Sequence, residues 1–155
     1  MIAADGSFEI RTARAEDATS LAGLIEELGF SAAADAVAQR LDSLARGGET
    51  TLVGVQGTEV LGFVTVHVTP VLHRPTPVGR MTALVVTERS RGRGLGRALV
   101  SAAERYLADA GCALVEVTSN RDLIGTHVFY ERLGYAITSY RFRKTLPPPL
   151  CGPRG

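Results

Sequence analysis

Residues 80–111 read RMTALVVTERSRGRGLGRALVSAAERYLADAG, and three patterns follow one another within them. Ala83-Leu84-Val85-Val86 is continuously apolar, as a strand covered on both faces is. Leu95, Leu99, Ala102, Tyr106, Leu107 and Ala110 recur at three- and four-residue steps, which predicts a helix running to Gly111. Between the two lies the turn Arg91-Gly92-Arg93-Gly94-Leu95-Gly96. Cys112 to Thr118 predicts the next strand, so the order is strand, helix, strand, a βαβ unit whose two strands run parallel.

Outward from this unit, a strand is expected at Phe8 to Thr12, followed by a helix with acidic Glu16 and Asp17 in its first turn and Leu21, Leu24, Ile25 and Leu28 at helical spacing. Gly29 ends it. Ser31 is the expected cap of a second helix carrying Val37, Leu41 and Leu44 and stopping at Gly47-Gly48. Thr51 to Val55 and Val60 to Val68 read as a hairpin across a polar turn, and the proline-bounded stretch 70–77 as a loop. Past the βαβ unit, a short helix is expected at Thr126 to Leu133, ending at Gly134. Tyr135 to Leu146 is rich enough in β-formers to predict one bent strand or two short ones. The reading is α/β: a single domain over residues 1–146, a mixed sheet with helices on both faces, and a Pro/Gly-rich tail at 147–155 expected to be disordered.

The glycine turn carries the first chemical signal. A helix start presents free backbone N–H groups and a positive dipole end, both suited to an anion. Glycines let an anion approach the backbone and supply turn φ values that are costly for other residues. Arg89, Arg91, Arg93 and Arg97 add charge-assisted donors, whereas Lys144 is the one lysine of the chain. Two phosphate-binding patterns with similar letters fail on position. The dinucleotide fingerprint, counted from Gly92, puts Arg97 where its last glycine belongs, and a nucleoside-triphosphatase loop needs Lys-Ser/Thr where Arg97-Ala98 stands.

Composition narrows the classes further. The 155 residues are 45% hydrophobic and 21% charged with a net charge of +1. That is the make-up of a globular protein, and it argues against a dedicated nucleic-acid binder, which spreads a large basic excess over one face. Cys112 and Cys151 form neither a disulfide framework nor a zinc spacing, so no metal site is expected. The first residues lack the apolar core of a signal peptide, and no stretch approaches a membrane span, so a soluble cytoplasmic protein is expected.

The turn and its setting resemble the GCN5-related N-acetyltransferase (GNAT) family, whose signature is Gln/Arg-x-x-Gly-x-Gly or Ala after a strand ending in valine. Arg91, Gly94 and Gly96 match it, as do Leu84-Val85-Val86 and the order of elements over nearly the whole chain. Family members often have proline where Glu88 stands. The resemblance implies acetyl-coenzyme A as cofactor. Backbone groups along Leu84, Val85 and Val86 would pair with its pantetheine arm like an added strand. Arg91, Gly92, Arg93, Gly94, Leu95, Gly96 and Arg97 would hold its pyrophosphate. It also implies that the two parallel central strands, carrying Val86 and Val117, splay apart.

Acetyl transfer from a thioester needs a donor for the departing thiolate. A tyrosine phenol, with a reference pKa of about 10 against about 8.5 for a thiol, is protonated and able to serve. Tyr130 is the candidate. The segment His127-Val128-Phe129-Tyr130-Glu131-Arg132-Leu133-Gly134-Tyr135 resembles the family's second cofactor motif, Tyr-x-x-x-Gly-Phe on a helix, with Tyr135 in place of phenylalanine. His127 and Phe129 are read with it as cofactor contacts, His127 sharing the helical face of Tyr130. Many members carry asparagine seven residues before the tyrosine. Leu123 stands there, and Asn120 is the substitute pantetheine contact. His67, His73 and Glu116 are candidates for a general base, and none is assigned.

The expected function is therefore transfer of acetyl from acetyl-coenzyme A to a primary amine by direct attack in a ternary complex. Residues 119–135 look like the branch that holds small-molecule aminoglycoside and aminoalkylphosphonate acetyltransferases, which favours a small-molecule acceptor. The alternatives are a non-catalytic coenzyme A-binding regulatory module and an acetyltransferase acting on a protein N-terminus or lysine. Neither nucleic acid nor membrane is an expected partner. A homodimer through the sheet edge or the last strands is compatible with the fold.

Overall fold

A computed structural model of the chain describes residues 8–149. These hold five strands and four helices in the order β1 (Glu9–Thr12), α1 (Ala18–Glu27), α2 (Ala34–Arg46), β2 (Glu49–Gln56), β3 (Glu59–Thr69), β4 (Val78–Val86), α3 (Leu95–Asp109), β5 (Val115–Val117) and α4 (Ile124–Arg132). They group into two compact units, one ending at Thr118 and the other starting at Ser119. The first contains the whole sheet, in strand order β1-β2-β3-β4-β5. The β1, β2, β3 and β4 pairings are antiparallel, and β5 joins β4 in parallel, as the βαβ pattern predicts.

Register explains which face each helix covers. Val53, Phe63 and Val85 lie opposite one another on β2, β3 and β4, and they share a buried cluster with Leu21 and Leu24 of α1 and Val37 of α2. One residue further along each strand, the other face carries Gly54 opposite Gly62, and there α3 packs. A side chain begun at Gly54 would stand 2.5 Å from the Leu95 Cδ1, and one at Gly79 2.9 Å from the Leu107 Cδ1. At Gly62 it would meet the Val85 carbonyl oxygen at 2.6 Å and Leu99 at 3.2 Å. Bare backbone beneath the helix thus lets Leu95, Leu99 and Leu107 sink to full burial. Helices on both faces of a mixed sheet are as expected.

The start of α1 is fixed by charge. Arg11 on β1 forks onto Asp17, with Nη1 to Oδ2 at 2.8 Å and Nη2 to Oδ1 at 2.9 Å, while the Arg14 amide donates to the same carboxylate at 2.7 Å. The hydrogen bond from Arg11 holds the buried Asp17 carboxyl below its ordinary range against the opposing cost of burial.

Several expectations are corrected. Ser31 does not cap α2: the residue before its first turn is Ala33, which makes no side-chain cap bond. The helix is held by its amphipathic packing instead. The last strand of the βαβ unit is three residues long, Val115–Val117, rather than running from Cys112 to Thr118. Tyr135 to Leu146 forms no strand. Ile137, Tyr140, Phe142 and Leu146 stand exposed. A β-former becomes a strand only where a neighbouring strand answers its backbone bonds, and no strand pairing of the described residues includes this stretch. Of the tail, 147–149 is irregular and exposed, and 150–155, with Cys151, lies outside the described residues, as does the expectation of disorder there. No helix of the described residues is long and apolar enough to cross a membrane.

Two outcomes follow. Gly62→Ala is expected to destabilise the fold by about 1–3 kcal/mol, read as a lower urea midpoint, because backbone has to move to admit the methyl. Asp17, depressed in the folded state, contributes stability that is present above its unfolded value of about 3.9 and is lost as pH falls through its folded value. Urea titrations between pH 2 and 5 should therefore show a shallower acid loss for Asp17→Asn than for the parent chain.

Candidate functional site

At the end of β4 the chain turns sharply. The Thr87 amide donates to the Leu61 carbonyl at 2.8 Å, closing the ladder with β3, and a single 3₁₀ turn at Glu88–Ser90 follows. A carboxylate from far away in sequence holds this turn. Glu27, the last residue of α1, accepts the Thr87 hydroxyl at 2.8 Å on one oxygen and the Glu88 amide at 3.1 Å on the other. It thus satisfies a free N–H of the turn, as a capping side chain does. Sequence reading missed Glu27, since nothing local links residues sixty positions apart.

Gly92 and Gly94 then adopt φ values of 75° and 87°, and open space lies where a side chain would project from either. Their need for glycine is conformational. Gly96 has no positive φ and belongs to the first turn of α3. Gly94 is the residue before that turn. Its carbonyl accepts the Ala98 amide at 3.0 Å, and no side chain caps the helix. The amides of Leu95, Gly96 and Arg97 consequently have no acceptor within the helix, which is the arrangement that binds an anion.

The arginines divide. Arg89 is engaged by Glu59 in an ion pair, and the Arg93 guanidinium lies over the Phe8 ring at 5.4 Å from its centre. Arg91 Nε donates to the Val86 carbonyl at 3.3 Å. Arg91, Arg93 and Arg97 are all exposed beside the helix start.

Upstream of the turn, β4 offers a partly open edge. Since Thr87 bonds β3, the alternation of a strand turns the backbone groups of Val85 and Ala83 to β3 as well, and those of Val86 and Leu84 to the opposite side. On that side the last parallel pair is Met81 with Val117. Thr82 to Val86 has no strand beside it among the described residues, so the two parallel strands are joined only near the start of β4. The Leu84 and Val86 groups can then pair with an extended ligand as they would with a strand, and the edge, the turn and the amides of α3 lie in one continuous line of backbone.

The second unit holds the other predicted residues. Tyr130 is buried, with ring contacts to Phe129 at 5.2 Å and Tyr135 at 5.5 Å, both edge-on. Burial raises its phenol above the ordinary tyrosine value, so it is protonated at neutral pH. His127 Nε2 donates to the Asn120 carbonyl at 2.8 Å, and the Asn120 side chain accepts the Asp122 amide at 3.0 Å. Both residues are thereby occupied in shaping the loop before α4. Phe129 is half-buried.

Of the base candidates, His67 has both ring nitrogens engaged, Nδ1 with the Thr69 hydroxyl at 2.8 Å and Nε2 with the Gly47 carbonyl at 3.3 Å. Glu116 pairs with Arg80 at 3.4 Å, and His73 is exposed on its loop. No group of three or more His, Cys, Asp or Glu among the described residues could hold a metal.

Comparison with known proteins places these features in context. The profile of the Acetyltransferase (GNAT) family matches residues 16–135. The chain is 32% identical over 143 residues to an aminoalkylphosphonate N-acetyltransferase of Salmonella typhimurium, covering 89% of this chain and 91% of the relative. An acetyltransferase structure from Trypanosoma brucei superposes with a TM-score of 0.80 at 26% identity, over 90% of this chain and 99% of the other. An aminoglycoside acetyltransferase from an uncultured soil metagenomic sample, solved with trehalose, shares the fold with a TM-score of 0.79 at 20% identity, over 92% and 99%.

Gly94→Val puts a β-branched residue at a left-handed φ. Calorimetry is expected to show coenzyme A binding weakened by roughly tenfold or more, equivalent to about 1.4 kcal/mol. Unchanged affinity in a variant that still folds would remove the turn from the cofactor site.

Proposed function

The chain belongs to the GNAT acetyltransferase family, and on that premise we propose that it moves an acetyl group from acetyl-coenzyme A to the primary amine of a small molecule, by direct attack in a ternary complex. The observation that carries this reading is the unbroken line of backbone from the open edge of β4, through the glycine turn, to the free amides of α3. An extended amide-bearing arm fits the edge and a pyrophosphate fits the helix start. Acetyl-coenzyme A joins those two chemistries in one molecule, and when bound it supplies the activated acyl group.

Each residue has a stated task. Leu84, Val85 and Val86 line the edge that receives the arm, Leu84 and Val86 through their outward backbone groups. Arg91, Gly92, Arg93, Gly94, Leu95, Gly96 and Arg97 bind the pyrophosphate by backbone amides and guanidinium charge. Tyr130 holds a proton for the departing sulfur, supported by its burial, its raised pKa and its place in the second motif. Asn120, His127 and Phe129 shape and line the cofactor side of that motif. We assign the catalytic domain to residues 1–146.

A small amine is favoured as acceptor by the likeness to a protein named for acetylating aminoalkylphosphonates. An assay of acetyl-coenzyme A turnover over aminoalkylphosphonates, aminoglycosides, simple alkylamines and lysine peptides tests it. Turnover confined to peptides would shift the acceptor to proteins, and coenzyme A binding without any turnover would favour a regulatory module. Tyr130→Phe is expected to lower kcat on the order of a hundredfold while changing coenzyme A affinity far less. An unchanged kcat removes Tyr130 from the chemistry.

A further inference from the structure

On the face of the sheet shared with α1 and α2, a polar patch interrupts the apolar core. Glu49 and Thr51 of β2 lie opposite His67 and Thr65 of β3, all on that face. On β4 the register slips between Thr65 and Val66, so that Thr65 faces Ala83, Val66 faces Met81, and Thr82 is the extra residue of a bulge. The bulge turns the Thr82 hydroxyl onto its neighbours: it lies 2.7 Å from the Thr65 hydroxyl and donates to Glu49 Oε1 at 3.0 Å.

The direction of this chain is fixed by proton count. A hydroxyl has one proton to give. Thr82 gives its proton to the carboxylate, so Thr65, which is buried, gives its own to Thr82. Two neutral donors in series therefore orient Glu49. Several other carboxylates of the described residues are matched by cations: Asp17 by Arg11, Asp42 by Arg46, Glu59 by Arg89 and Glu116 by Arg80. No cation of the described residues pairs with Glu49, although its geometry is set. His67, on the neighbouring strand, has its ring nitrogens turned to Thr69 and Gly47.

Position gives this anion its meaning. Met81 is the last residue of β4 paired with β5, and Thr82 is the first of the open edge that continues through Leu84 to Val86 and the turn. An arm laid along that edge from the turn would have its reacting end toward Thr82. Resting on the acetyltransferase reading above, we propose that Glu49, oriented by Thr82 and Thr65, binds the positively charged ammonium of the acceptor beside the open edge. It selects acceptors that arrive as ammonium ions over neutral amines, and the bound ammonium releases one proton to solvent to become the free amine that attacks. The anion is held ready by hydroxyls that carry no charge of their own, so its full charge faces the acceptor.

The test compares the parent chain with Glu49→Gln and Thr82→Val. Amine affinity is measured by calorimetry with coenzyme A present, KM and kcat by turnover, and coenzyme A affinity serves as the control for folding. Glu49→Gln should weaken binding and raise KM for a cationic alkylamine tenfold or more, leave coenzyme A affinity unchanged, and leave a weakly basic amine, neutral at the assay pH, unaffected. Equal losses for charged and neutral amines, or no loss, overturn the assignment. Should Glu49→Gln fail to fold, Thr82→Val decides: a loss of several-fold for the charged amine alone supports the site, and parent-like affinity overturns it. Failure of the parent chain to turn over any amine would sink the acetyltransferase reading and this site together, whereas parent turnover with an indifferent Glu49→Gln sinks this site alone.

Discussion

The close approach of α3 to the sheet governs the rest of the structure. Gly54, Gly62 and Gly79 present bare backbone to Leu95, Leu99 and Leu107, and the fit is tight enough that a single methyl group would collide. The helix axis is thereby tied to three strands at once. Because the helix begins directly after the turn, its free amides are fixed in relation to the end of β4. Free amides held by backbone have no side-chain rotamers with which to adjust, so their placement depends on this packing.

The arginines illustrate how sequence proximity and structural role part company. Arg89, Arg91, Arg93 and Arg97 look like one basic cluster in the sequence, yet Arg89 is engaged by Glu59 and Arg93 lies over Phe8. With Arg91 Nε on the Val86 carbonyl, three of the four thus have partners in the protein itself. On the proposed reading, phosphate recognition would lean on the backbone amides, with charge from arginines whose side chains are exposed.

What was legible in the sequence was what lies close together along it. The apolar run at 83–86, the glycine turn and the periodicity of α3 sit within thirty residues, and strand, turn and helix emerge where those patterns place them. The short helix that carries Tyr130 was legible for the same reason, and burial of that ring keeps its phenol protonated. Capping by Ser31 was misread because local chemistry yielded to the packing of α2. The strand expected at 135–146 was misread because β-propensity says nothing about whether a neighbour exists. Glu27 and Glu49 were invisible for a third reason. Glu27 acts on Thr87 across about sixty residues and Glu49 on Thr82 across about thirty, and neither sits in a pattern that marks it.

The carboxylate of Glu27 has one more consequence. It binds the last turn of α1 to the first residues after β4, so the wall of the molecule contributed by the first helix and the loop that leads into the glycine turn form one mechanical piece. Any scheme that exchanges the first two helices for those of another protein, in order to remodel what the fold accepts, has to bring a carboxylate to the same place. A graft without one would leave the Thr87 hydroxyl and Glu88 amide without their acceptor, and the change would be felt at the turn, on the far side of the exchanged segment.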